Sequence, residues 1–235
     1  MLNLIKGYRM EFFNFIKLNN EMLYQTIFII LSIVGLISYY IGYVLAIKHK
    51  DEKTFTKAGY FCFVGGFTSL FWIIMPFFPQ PRIGFWTDNN ITTPAIFMHT
   101  YGLILFIWFL NFTVRATKSN LTATSKYFFS PTHLITDGQY RVLRHPMLMG
   151  DFFAHLGLSL MLGAIYTTLL LPLYYIINET FIEIQERKVL RVKFKEEYIL
   201  YSKNTPRSWN LKFFILFILS VLFFLWAMMA NNVNL

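Results

Sequence analysis

Apolar stretches close to the ~20 residues that cross a hydrocarbon layer recur between short polar loops, at 24–47, 58–79, 94–114, 147–163, 165–182 and 212–230. Such a chain has little with which to face water: 56% of it is hydrophobic and only 14% charged, against roughly a quarter charged in soluble domains. Because lipid offers no partner to a bare backbone group, spanning segments fold as helices or closed barrels. The expectation is an all-α, polytopic membrane protein of about six transmembrane helices. The fourth and fifth stretches nearly touch, with Gly163 and the Ala164–Tyr166 link between them. Together they are too long for one crossing, so they read as a tight helical hairpin whose second arm is bent at Pro172.

Basic residues test this layout, since they gather in cytoplasmic loops. Alternating sides puts four, five and eight of the 21 Lys and Arg on one side, and three, one, none and none on the other. Loops 115–146 and 183–211 therefore share the cytoplasmic side, and both termini are predicted non-cytoplasmic. Residues 1–21 read as an interfacial segment rather than a cleavable leader, with Phe12, Phe13, Phe15, Ile16 and Leu18 available to rest on lipid. Residues 22–114 hold three spans and 212–235 the last.

The net charge of +9 does not point to nucleic acid, because the cations sit in short clusters between apolar runs and no recognition module is present. The single cysteine, Cys62, excludes a disulfide framework and a cysteine-rich zinc site, and reads as a small buried apolar side chain. The five histidines have no cysteine or carboxylate at ligand spacing, so no metal is expected.

Two polar segments carry the chemistry. In the first, Asp137-Gly138 is a turn signal, and Arg144-His145-Pro146 abuts the fourth apolar stretch. Pro146 disfavours the helical basin for His145 and suits the first position of a helix. Open amides at that helix start, beside Arg144, suit a carboxylate or phosphate, though headgroup snorkelling explains the same residues. In the second, Glu179, Glu183, Glu186, Leu190, Phe194, Tyr198 and Tyr201 recur at three- and four-residue intervals, the stripe of an amphipathic helix. Glu183 and Arg187 are spaced as an ordinary surface pair. Glu186 has Leu190 four residues on and is freer to hold a cationic group or act as a base. Asp151 and His155 share one face of the fourth stretch, where titratable groups are functional by default. His99 stands alone in the third and reads as a satisfied packing residue.

Residues 130–208 resemble the integral-membrane methyltransferases of the isoprenylcysteine carboxyl methyltransferase and phospholipid methyltransferase type. The resemblance runs through His133, Thr136, Gly138 and Tyr140, Arg144-His145-Pro146, Gly150, and, after the hairpin, Glu186, Leu190, Phe194, Tyr198, Tyr201 and Pro206-Arg207. It implies S-adenosylmethionine as cofactor, a catalytic-type methyltransferase core over 115–211, and a cofactor site built by the hairpin and a cytosolic amphipathic helix. Carried over, the cofactor contacts are His133, Leu134, Tyr140, Arg144, His145 and Glu186, with Arg144 and Glu186 as the catalytic pair. The acceptor implied is a small lipophilic molecule entering from the bilayer: a lipid, a prenylated group or another apolar nucleophile. Nothing in the sequence specifies an oligomeric state.

The chain departs from the family pattern at three positions. Leu148 stands where the family has Tyr, Arg187 replaces the second acid of a Glu-Glu pair, and Lys195 replaces the Gly after Phe194. Arg-His-Pro also occurs in membrane reductases and redox-associated proteins, and a diverged, non-catalytic member would keep the same outline. The readings part on whether Arg144, His145 and Glu186 converge in space.

Overall fold

The computed structural model describes residues 23–231, apart from 85–90, 124–130 and the positions 25, 28, 32, 46–47, 49–53, 55–56, 62–63 and 66–70. The expected interfacial segment 1–21 and Cys62 lie outside the described residues, as does part of each of the first two expected spans. The described residues are helical, with one isolated bridge between Arg82 and Ala164.

A long helix, Thr93–Ala123, is followed by the hairpin, whose arms are Pro146–Met161 and Ile165–Gln185. A π-helical turn, Glu186–Leu190, leads into a return helix, Arg191–Asn204, and a C-terminal helix, Leu211–Ala230, closes the order. The hairpin is as expected: Pro146 opens the first arm, and Gly163 turns the chain at φ +63°, a conformation glycine adopts without steric cost.

Six spans were expected; among the described residues two helices are long and apolar enough to cross a membrane, Thr93–Ala123 and Leu211–Ala230. The first hairpin arm has only 16 residues, and the second dilutes its apolar run with Asn178, Glu179 and Thr180. The third span was expected to end at 114 but runs on to Ala123, since no Pro or Gly interrupts 115–123. The segment after Glu186 carries the π turn and a kink at Lys195 (φ 44°, ψ −115°); Leu190, Phe194, Tyr198 and Tyr201 of the expected stripe are its less exposed residues, while Val192 and Leu200 are exposed alongside Lys193 and Glu197.

The long helix and the first arm cross closely on glycine. A Cβ on Gly102 would lie 2.5 Å from the Met161 amide nitrogen and 2.7 Å from the Gly157 carbonyl, the close backbone approach that small residues permit between membrane helices. Above the crossing the core is aromatic: Phe109 stacks on Phe153 at 4.7 Å, and Phe213 of the C-terminal helix packs on both. Tyr101 ties the C-terminal helix to the long helix by donating to the Leu216 carbonyl (3.0 Å). This packing fixes the hairpin arms, and with them the residues at their open end.

Candidate functional site

The open end of the hairpin gathers Arg144 and His145, at the start of the first arm, with Glu186, at the end of the second. Gly138, at φ +55°, opens the 3-10 turn Gly138–Arg141 that leads into them. His145 leaves the helical basin (φ −123°, ψ 63°) before Pro146, as the clash with a following proline requires. The backbone here is held by a segment from the far side of the motif: the Arg144 amide donates to the Pro206 carbonyl (2.9 Å) and the His145 amide to the Arg207 carbonyl (3.1 Å).

One carboxylate oxygen takes both side chains. Arg144 Nη1 donates to Glu186 Oε1 at 2.7 Å, and His145 Nε2 donates to the same oxygen at 2.6 Å. Arg144 Nη1 also donates to the Tyr198 hydroxyl at 3.1 Å. The side chains of Arg144, His145 and Glu186 are 16%, 10% and 10% exposed, so water screens them little and the charge-assisted bonds are strong. Arg144 Nε is buried without a hydrogen-bond partner.

Burial alone would raise the Glu186 carboxyl. The hydrogen bond and charge of His145, with Tyr198 and Arg144, outweigh it and bring the group down from 4.5 to about 2. Burial pushes the His145 imidazole below its ordinary value, although Glu186 pulls the other way. At neutral pH the arrangement is therefore an ionised Glu186 paired with Arg144 and accepting from His145 Nε2.

A second carboxylate layer lies beside the first. Arg207 pairs with Glu179 at 2.9 Å and reaches within 3.7 Å of Glu186 Oε2, while the Ser208 hydroxyl donates to Glu179 Oε2 at 3.0 Å. Glu183 pairs with Arg187 as the i, i+4 spacing predicts, and the Arg187 side chain is 70% exposed there. The acid-to-cation change at Arg187 thus faces solvent, not Arg144.

Of the residues expected to bind a cofactor, Arg144, His145 and Glu186 converge. Tyr140 supplies its carbonyl, which accepts a 2.6 Å bond from the Tyr201 hydroxyl, and its own hydroxyl is pushed up by burial. His133 does not join them: it is exposed beside Thr132, whose hydroxyl lies 3.1 Å from its Nδ1. Leu134, next to it, is half-buried. Tyr198, Arg207, Ser208 and Glu179 belong to the network, although none was assigned to the site. The resemblance already carried Tyr198 and Pro206-Arg207, but Ser208 had no signal of its own. Leu148, where the family has Tyr, is buried in the first arm. Among the described residues no group of three His, Cys, Asp or Glu could hold a metal.

Residues 96–197 match the model of the phospholipid methyltransferase family. The matched stretch holds the long helix from its fourth residue, both hairpin arms, and Arg144, His145 and Glu186; Tyr198 falls one residue past its end. The match agrees with the membrane methyltransferase resemblance and points to a membrane methyltransferase. No curated protein and no solved structure matches the chain.

Proposed function

We propose that this protein is an S-adenosylmethionine-dependent membrane methyltransferase acting on a lipid-like, prenylated or other small apolar acceptor, with its site at the cytoplasmic membrane interface. The observation that carries the reading is the single oxygen, Glu186 Oε1, shared by Arg144 and His145 across 42 and 41 residues of sequence. A scaffold has no need to bring these three together in a largely buried polar cluster, whereas small-ligand sites are built from a few convergent polar groups.

The residues present fit the cofactor. Arg144 Nε, buried and unspent, suits a carboxylate, which Arg binds through two parallel bonds. Glu186, held ionised, suits an ammonium or sulfonium charge. His145 fixes the carboxylate's position, and Tyr201 fixes the turn that precedes Arg144. When bound, the cofactor supplies an activated methyl group. The chain's part is to orient it and keep water away, contributions that dominate in-line transfers. The aromatic packing beneath the site, Phe152 and Phe153 against Trp209, provides the dry floor.

The test is binding. Full-length protein in lipid nanodiscs, titrated calorimetrically with S-adenosylmethionine, is expected to bind saturably, and Arg144→Ala and Glu186→Ala to weaken binding at least tenfold. Unchanged affinity in both variants overturns the assignment. Orientation is tested separately by a reporter at the C-terminus, expected to read as non-cytoplasmic.

A further inference from the structure

Immediately past Glu186 the chain reads Arg187-Lys188-Val189-Leu190-Arg191-Val192-Lys193-Phe194-Lys195, five cations in nine residues and no acid. All five are exposed. Arg187 is paired with Glu183, whereas Lys188, Arg191 and Lys195 enter no ion pair among the described residues. Two of the five, Arg187 and Lys195, are the chain's own departures from the family pattern. The charge therefore belongs to this chain and not to the cleft, whose members Glu186 and Tyr198 flank the run.

A helix whose charged face is simply solvated turns its apolar side chains inward. This segment does so only in part. Val189 packs on Tyr43 and Ala58, but Val192, between Arg191 and Lys193, is 65% exposed, and Leu200 further along is equally so. Position points the same way. The run starts two residues after the second hairpin arm ends at Gln185. The return helix that carries it leads, past Asn204, into Leu211–Ala230, a helix long and apolar enough to cross a membrane. Leu211 is 73% exposed there, next to an exposed Lys212. The segment is thus tied at both ends to elements that enter the apolar layer.

Cations interleaved with exposed apolar side chains suit a boundary where anionic head groups lie just above hydrocarbon. A nucleic acid or an acidic protein would answer the charge but not the exposed Val192 at the membrane edge. We infer that residues 187–195 form a docking surface for anionic phospholipid head groups, with Lys188, Arg191 and Lys195 meeting the charge and Val192 entering the acyl boundary. Binding of this kind does not depend on the methyltransferase reading, since it concerns the bilayer surface and not the cleft.

The experiment attaches an environment-sensitive fluorophore at Val192→Cys, with Cys62→Ser to remove the chain's own thiol, in the full chain reconstituted into nanodiscs. Nanodiscs of phosphatidylcholine alone are compared with nanodiscs in which roughly a third of the lipid is phosphatidylserine. Both leaflets are alike, so sidedness does not enter. Phosphatidylserine is expected to shift the emission to the blue and at least double its intensity at low salt. The gain should shrink at about 1 M salt, where charges are screened beyond about 3 Å. Lys188→Gln with Arg191→Gln is expected to remove most of the gain. Arg115→Gln with Lys118→Gln, which takes two exposed cations from the long helix instead, should leave it intact. Emission identical in the two lipids, a gain undiminished by salt, or equal losses in the two double variants overturns the surface.

Discussion

At one end of the hairpin Arg144 and His145 meet a carboxylate on the opposite arm; at the other, Arg82 and His99 meet backbone. Arg82 donates from Nη1 to the Leu162 carbonyl (2.8 Å) and from Nη2 to the Pro76 carbonyl (2.6 Å). The His99 ring, fully buried, has Nδ1 at 3.0 and 2.9 Å from the Leu160 and Met161 carbonyls and Nε2 against that of Gly84. The residue types are the same, and the partners divide the roles. A carbonyl beside a hairpin turn is fixed by the fold and satisfied in place, so Arg82 and His99 clamp the 75–84 segment onto the turn, where Ile83 and Ile165 add backbone bonds to Gly163 and Pro81. A side-chain carboxylate can exchange one cation for another. Arg144 pairs with Glu186 yet keeps Nε unspent, which is what the proposed cofactor site requires.

The largest effect that would break this contrast is at Glu186. Removing it leaves Arg144 and His145 buried without their acceptor, and losing one partner of a buried pair costs about 3–5 kcal/mol. Glu186→Ala should therefore lower both the melting temperature and cofactor affinity, whereas a site that merely decorates the surface would lose neither. The pH dependence follows from the same residue. Its folded-state pKa, about 2, lies below the ordinary 4.5, so its contribution is fully present above about pH 4.5 and is lost as the pH falls toward 2. Melting curves between pH 6 and 3 should show a steeper loss for wild type than for Glu186→Gln; parallel curves would contradict the assigned ion pair.

The turn end should respond in the opposite way. Arg82→Met keeps the stem's bulk but removes the donors to three carbonyls, those of Leu162, Pro76 and Phe78, about 1–3 kcal/mol for each one left unsatisfied. The melting temperature should fall while S-adenosylmethionine affinity in the folded protein stays at the wild-type value. A loss of affinity with no loss of stability would show that the two ends are coupled and that the division of roles is wrong.

Legibility in the sequence also differs between the two ends. The open end was readable because its chemistry is written in residue types that are costly in or near a bilayer: Arg144, His145 and Glu186 declare themselves wherever the chain folds. The hairpin was readable from Gly163 and the length of the combined run. The turn-end clamp was not, since Arg82 looked like one loop cation and its partners are backbone carbonyls, which every sequence has. The helix crossing was equally silent, because Gly102 and Gly157 gain meaning only when the two helices face each other. The extra length of Thr93–Ala123 is not legible in hydropathy, because polarity marks the end of an apolar span whereas a helix continues through polar residues until something breaks it. His133 was carried over by resemblance alone, and the structure leaves it exposed beside Thr132.

The smallest expected effect concerns how the return helix reaches the site. Lys195, where the family pattern has Gly, is the one non-glycine residue with positive φ among the described residues (φ 44°, ψ −115°). The break it makes lies between Glu186 and Tyr198, and on its far side Tyr198 and Tyr201 reach Arg144 and the Tyr140 carbonyl. A side chain in so sparsely populated a region costs about 1–3 kcal/mol, and Gly would relieve that cost but lose chain entropy of about 0.5–1 kcal/mol. Lys195→Gly should therefore stabilise by roughly 1 kcal/mol, about 2–4 °C for a chain of this size, with cofactor affinity retained. Glu197→Gly, two residues on in ordinary helix and equally exposed, should instead lose about 1 kcal/mol. Equal losses at both positions would mean that Lys195 is helical in the folded protein, and the reach of Tyr198 to Arg144 would then need another explanation.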